Sequence, residues 1–318
     1  MALTPPFLEH IQKHQRILIA GMGGGFDLYC GLPLYFALRD AGKDVFLANL
    51  SFTSLDRSSA PELYPHLYEV THRVRNDERY YPELYLSRWF KTVLEQEVPI
   101  YAFERVGVRP LYSAYEFLTQ MLEVDAVVLV DGGTDSLMRG DEFDLGTPEE
   151  DAASLAAVNA LENENLSKYL LCLGFGVDTF HGVCHYYFLE AVTALTQNGH
   201  YLGAWSLTPE MPEVKLYDRA LEFAHAAFPD HPSIVNSSIL DGIAGKFGNV
   251  HRTYRTQGSE LYINPLMGLY WAFRLEGVTW RNKYLSRLMH TETYGDVRHL
   301  IAAYRAETEE RPWQSLPV

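Results

Sequence analysis

Apolar residues come along this chain in two rhythms, and their alternation predicts the fold. Arg16-Ile-Leu-Ile-Ala20 is a short β-branched run that reads as a strand. A glycine loop, Gly21-Met-Gly-Gly-Gly-Phe-Asp27, follows at once. Leu28 to Asp40 then carries Leu28, Leu32, Leu34, Phe36 and Leu38, a helical spacing that predicts one helix up to Ala41-Gly42. Val45-Phe-Leu-Ala-Asn-Leu50 is a second buried strand. Strand, loop, helix and strand within about 35 residues make a βαβ unit with a right-handed crossover.

The succession continues. Ile100–Phe103 reads as a strand and Tyr112–Leu122 as a helix. Ala126-Val-Val-Leu-Val130 shows no alternation, so it belongs in a parallel sheet covered on both faces. Thr147-Pro-Glu-Glu150 is a helix start, with Thr147 as N-cap, Pro148 at the first position and acids near the positive end. That helix is expected to run to Leu161. Strands follow at Tyr169–Leu173 and Tyr201–Trp205, helices at Gly182–Gln197, Glu213–Ala227 and Ser237–Gly245, and a last strand at Leu261–Ile263. Residues 51–98 break the rhythm. They are rich in Tyr, Arg and His, with one helix predicted over Pro82–Gln96, and read as an irregular, helical insertion in a single domain spanning 1–318. The expected fold is α/β: a three-layer, Rossmann-like, largely parallel sheet with helices on both faces.

Charge and composition narrow the partners. Lys and Arg number 26 and Asp and Glu 41, so the net charge is 26 − 41 = −15. Nucleic-acid polymers and anionic membrane surfaces are bound through basic residues, so neither is expected as a partner. The 47% hydrophobic content supports a packed core. No apolar run reaches the roughly 18 residues of a membrane span, and the N-terminal segment MALTPPFLEHIQKHQR has no apolar signal-peptide core. Three cysteines, Cys30, Cys172 and Cys184, without a C-x-x-C pair, fit a reducing compartment, and the cytoplasm is expected. The aromatic tail (Tyr262, Tyr270, Trp271, Phe273, Trp280, Tyr284) suits core packing or a homo-oligomer interface.

In an open parallel sheet, ligands bind beyond the carboxyl ends of the strands, and three of the predicted strands end in unusual turns. Gly23, Gly24, Gly25, Phe26 and Asp27 lie between a strand and a helix, where glycines admit an anion to free N–H groups. Asp27 suits a sugar hydroxyl, a metal or a helix cap, and Phe26 stands where the third glycine of G-x-G-x-x-G belongs, able to stack on a ligand ring if it points at one. Asp131-Gly132-Gly133-Thr134-Asp135 places two carboxylates around a turn. They suit a divalent cation such as Mg²⁺, a ribose diol, or separate acid and base roles, although Asp and Gly are also ordinary turn residues. Gly174-Phe-Gly176-Val-Asp178 continues to His181 and His185, spaced as a pair on one helix face beside Cys184. Asp178 is the stronger candidate there, with His181 as a pocket residue or general base. The run from Ser233 to Gly248 reads as structural, with a helix start at Ser237 and Ser238.

These motifs, in this order, together with Gly245-Lys-Phe-Gly248 and Val278-x-x-Arg281-Asn282, resemble the domain of unknown function 1152. The likeness spans roughly residues 15–305. It implies a Rossmann-like α/β fold in which the strand-end turns matter, and it supplies no reaction. The expected function is an enzyme of hydrolysis or group transfer acting on a nucleotide, nucleoside or sugar-phosphate-like small molecule. The alternative is a ligand-binding regulatory protein without turnover. NAD(P)-dependent redox chemistry fits less well, because Asn49 stands where the second strand should end in an acid, and a methyltransferase is supported only as loosely. The acidic balance sits uneasily with an anionic ligand, unless a cation bridges them or the ligand offers hydroxyls to the acids.

Overall fold

The computed structural model describes residues 3–76 and 80–316. Nine strands form one sheet: β1 (Arg16–Gly21), β2 (Asp44–Leu50), β3 (Glu62–Tyr64), β4 (Leu67–Val70), β5 (Ile100–Phe103), β6 (Ala126–Asp131), β7 (Ser167–Cys172), β8 (Tyr201–Ser206) and β9 (Leu269–Arg274), in the order β3-β4-β5-β2-β1-β6-β7-β9-β8. The five strands from β5 to β7 are mutually parallel. Antiparallel strands extend both edges. The fold is α/β with a mixed sheet, parallel in its centre.

Successive strand residues divide between two cores, as the period of two requires. Ile17, Ile19, Leu47, Val128 and Val130 face one, and Leu18, Ala20, Ala48, Val127 and Leu129 face the other. Helices Leu32–Asp40, Pro82–Val93 and Pro212–Ala227 cover the first face. Helices Val108–Met121, Pro148–Asn159 and His185–Gln197 cover the second. This gives the three layers expected. Among the described residues no helix is long and apolar enough to cross a membrane.

Several expectations need correction. The helix expected over 28–40 is split into Asp27–Cys30 and Leu32–Asp40 at Gly31, followed by Pro33. The insertion contributes a hairpin, β3 and β4, that pairs onto β5, and its helix ends at Val93. Ser237 and Ser238 do not start a helix. The helix is Ile234–Ile243 and its cap is Ser233, whose side chain accepts the Asn236 N–H. Leu261–Ile263 is no strand, because only Ile263 bridges Gly248. The last strand is instead β9, whose aromatic residues hid its alternation. In it Tyr270 and Phe273 are buried, as is Tyr284 beyond it, whereas Trp280 and Tyr262 are exposed.

Most of the aromatic tail is therefore core. Phe273→Ala is expected to cost about 3–5 kcal/mol of stability. Trp280→Ala, at 71% exposure, should stay within about 0.5 kcal/mol. Urea unfolding measures both. Equal costs for the two substitutions would show that Trp280 is covered by a second chain.

Candidate functional site

The strand order reverses between β1 and β6, which are neighbours in the sheet, while the chain leaves β1 for β2 on the other side. That switch point is where an open α/β sheet leaves a crevice. A cleft of about 780 Å³ lies there. It is lined by Gly23, Gly24, Gly25, Phe26 and Asp27 after β1, by Asp131, Gly132 and Asp135 after β6, and by Asp178 and His181 after β7. Three turns far apart in sequence thus meet at one edge.

The glycine loop is clamped from both sides. Asn49, at the end of β2, donates to the Gly25 carbonyl at 2.9 Å, and Asn236 donates to the Phe26 carbonyl at 3.2 Å. Gly24 has φ +90°, and a Cβ there would fall 2.3 Å from the Phe52 ring, so only glycine holds this conformation. Phe26 reaches the cleft wall, but its ring is buried among Tyr29, Tyr80, His225 and Phe228. Phe52, 40% exposed, is the freer aromatic of the cleft, and the Arg105 guanidinium lies 4.8 Å from its ring centre.

The carboxyl groups are pinned by turn donors. Asp27 Oδ2 accepts the Gly23 N–H at 2.7 Å. Asp131 Oδ2 accepts from the Ser136 N–H at 3.3 Å and from its hydroxyl. Asp135 Oδ2 accepts the Thr147 N–H at 2.8 Å and its hydroxyl at 3.1 Å, so Thr147 serves Asp135 rather than capping its own helix. Asp178 Oδ2 accepts the Thr134 N–H at 2.6 Å. Burial pushes the Asp27 carboxyl up to about 8, against the Gly23 hydrogen bond. Burial, and then the neighbouring Asp135, raise the carboxyls of Asp131, Asp151 and Asp178 well above their ordinary range.

Not every expected residue faces the cleft. Gly133 and Thr134 pack against and hold Asp178, and Gly176 lines a neighbouring depression. His181 lies at the rim, but His181 and His185 do not share a helix face. His181 ends a 3₁₀ turn, Gly182 is left-handed at φ +80°, and the helix begins only at His185. His185 reaches Thr179 at 3.4 Å, and Cys184 donates to the Gln314 carbonyl.

Other residues of the cleft were not foreseen: Phe52, Tyr80, Arg105, Glu150, Asp151, His231 and Arg255. A signal existed for Asp151. Its helix reads Asp-Ala-Ala-Ser-Leu-Ala-Ala, and small residues on every side mark a helix enclosed all round. Nine of its twelve residues are buried, so acids in its first turn cannot all be solvated.

The family model described as "Protein of unknown function (DUF1152)" matches residues 62–311. The chain belongs to the DUF1152 family. Asp131, Asp135, Asp151 and Asp178 lie in the DUF1152 stretch, while Gly23–Asp27 and Asn49 precede it. No curated protein and no solved structure matches the chain.

Glu83, also in the DUF1152 stretch, underpins the loop. Asn49 donates to Glu83 Oε1 at 2.7 Å, and Glu83 Oε2 is buried without a partner. Burial, against that hydrogen bond, raises the Glu83 carboxyl from 4.5 to about 7. A raised carboxyl stabilises the fold fully below its unfolded value and loses that contribution as pH climbs through the folded value. The window here is about pH 4.5 to 7 and beyond. Glu83→Gln keeps an acceptor for Asn49 and cannot titrate. Relative to the variant, the wild type should lose on the order of 3 kcal/mol between pH 5 and pH 9, read by denaturant unfolding at each pH. A difference independent of pH would mean that Glu83 stays ionised in the folded protein.

Proposed function

We propose that this DUF1152 protein is an enzyme that hydrolyses, or transfers a group from, a nucleotide-, nucleoside- or sugar-phosphate-like small molecule. One observation carries the reading: a single cleft of about 780 Å³ gathers a glycine loop, the acids Asp27, Asp131, Asp135, Glu150, Asp151 and Asp178, and also Arg105, Arg255, His181 and His231. The size is that of a small-molecule pocket. Its chemistry is divided, and the ligand that satisfies it is divided too. A hydroxyl-rich or water-bearing part meets the carboxyl groups, and a negatively charged part meets the glycine loop and the arginines. Phe52 and Tyr80 offer flat apolar surface for a ring.

Within this reading Asp178 is the proton-transferring carboxyl. The Thr134 N–H fixes one of its oxygens and the side chain lines the cleft. Arg255 binds the anionic end. Asn49 speaks against nicotinamide chemistry: its amide is committed to the Gly25 carbonyl and Glu83, so it is not free to read a ribose.

A panel of nucleotides, nucleosides and sugar phosphates, followed by melting shift and by product formation, tests the proposal. At least one compound should be turned over. Asp178→Asn should lower kcat about 10²–10⁴-fold, and Arg255→Ala should act mainly on KM. Binding without any product would make this a ligand-binding protein, and full turnover by Asp178→Asn would remove its catalytic assignment.

A further inference from the structure

We propose that Asp27, Asp131 and Asp151 together hold a divalent cation in the floor of the cleft. The cation takes its role from the enzymatic reading above, but its site can be tested without a substrate.

One carboxylate oxygen from each residue lies within 4.8 Å of the others. Oxygens on opposite sides of a cation stand two bond lengths apart, about 4.2 Å for Mg²⁺ and about 4.6–5.2 Å for Ca²⁺. Separations within that limit let the three oxygens converge on one cation. Asp151 supplies the independent sign of a ligand. Its side chain is 4% exposed and lines the cleft, and its Oδ1 is buried without any hydrogen-bond donor. A buried acceptor left without a donor is costly and calls for an explanation, such as an ion.

The backbone is shaped to admit these oxygens. A Cβ on Gly23 would sit 2.6 Å from both Asp151 Oδ1 and Asp27 Oδ2, and one on Gly132 would sit 2.7 Å from Asp27 Oδ1. Two carboxylates from distant elements thus share the space beside a glycine. The acids that pair with arginine or lysine are others, such as Glu150 with Arg105 and Asp141 with Arg139. Among the described residues no lysine or arginine lies within ion-pair distance of Asp27, Asp131 or Asp151, so an outside cation is the available counter-charge.

The donor set is all oxygen, which selects Mg²⁺, Mn²⁺ or Ca²⁺ over softer metals. Asp131 keeps the role expected of it. Asp151, rather than Asp135, completes the set, because one of its oxygens lies within 4.8 Å of those of Asp27 and Asp131 and its Oδ1 has no donor of its own.

Chelator-treated full-length protein, titrated calorimetrically with MgCl₂, MnCl₂ and CaCl₂ and melted in parallel, decides the matter. At least one cation should bind once per chain and raise the melting temperature. Asp151→Asn replaces one acid of a crowded cluster by a neutral group of the same shape, so the metal-free variant should melt no lower than wild type. It should nevertheless bind the cation at least about tenfold more weakly. Absence of saturable binding at millimolar concentrations, or unchanged affinity in Asp151→Asn, overturns the proposal. A cation bound once per chain without turnover of any compound keeps the site and removes the enzymatic reading. Turnover indifferent to chelator, in a protein that binds no cation, does the reverse.

Discussion

Acids forced together at the β1–β6 switch point are the constraint on which this structure turns. Asp131, Asp151 and Asp178 are each less than a tenth exposed, and Asp27 faces them across the glycine loop. What surrounds their carboxyl oxygens is mostly backbone N–H: Gly23 on Asp27, Ser136 on Asp131, Thr134 on Asp178. Neutral donors of this kind fix orientation and offset part of the desolvation cost. They do not cancel charge. The same bonds pin the turns themselves, so the acids shape the cleft as well as line it. Removing them would loosen the loops that bring them together.

That coupling explains the glycines. A turn that donates to a carboxyl from another element must approach it closely, and at Gly23 or Gly133 a Cβ would fall within 2.6 Å of a carboxylate oxygen. In the turns after β1 and β6, glycine beside a carboxyl group is thus a packing requirement at the site.

Much of this was legible along the chain because it is local. Parallel strands such as Ala126–Asp131 announce themselves by an unbroken apolar run, and the turns after β1, β6 and β7 by their Gly and Asp. Contributions that come through space were not legible. Thr147 and Pro148 look like a helix start, and they are one, but the hydroxyl goes to Asp135 twelve residues earlier. Ser237 and Ser238 look like a cap, while Ser233 serves as the cap through the Asn236 N–H. Asn49 looked like a missing acid; it is the clamp of the glycine loop. Strands β3 and β4 escaped because they are only three and four residues long, and β9 because aromatic side chains fill both of its faces without a polar alternation to mark them.

The net charge of −15 now takes a narrower meaning. Charges on the far surface are screened within about 8–10 Å in physiological salt, so the total does not decide whether an anion enters the cleft. The local balance does, and around Asp27, Asp131 and Asp151 every carboxyl that ionises makes it more negative. An anionic ligand entering the cleft meets acids crowded by other acids, and it is repelled by each one that ionises. With a divalent cation on those oxygens, the same ligand meets attraction, both from the cation and from Arg105 and Arg255 along the cleft. Cation and anion then favour each other's binding, and by linkage the coupling is equal in both directions. The acidic wall and an anionic ligand, which seem incompatible in the composition, become two halves of one binding event.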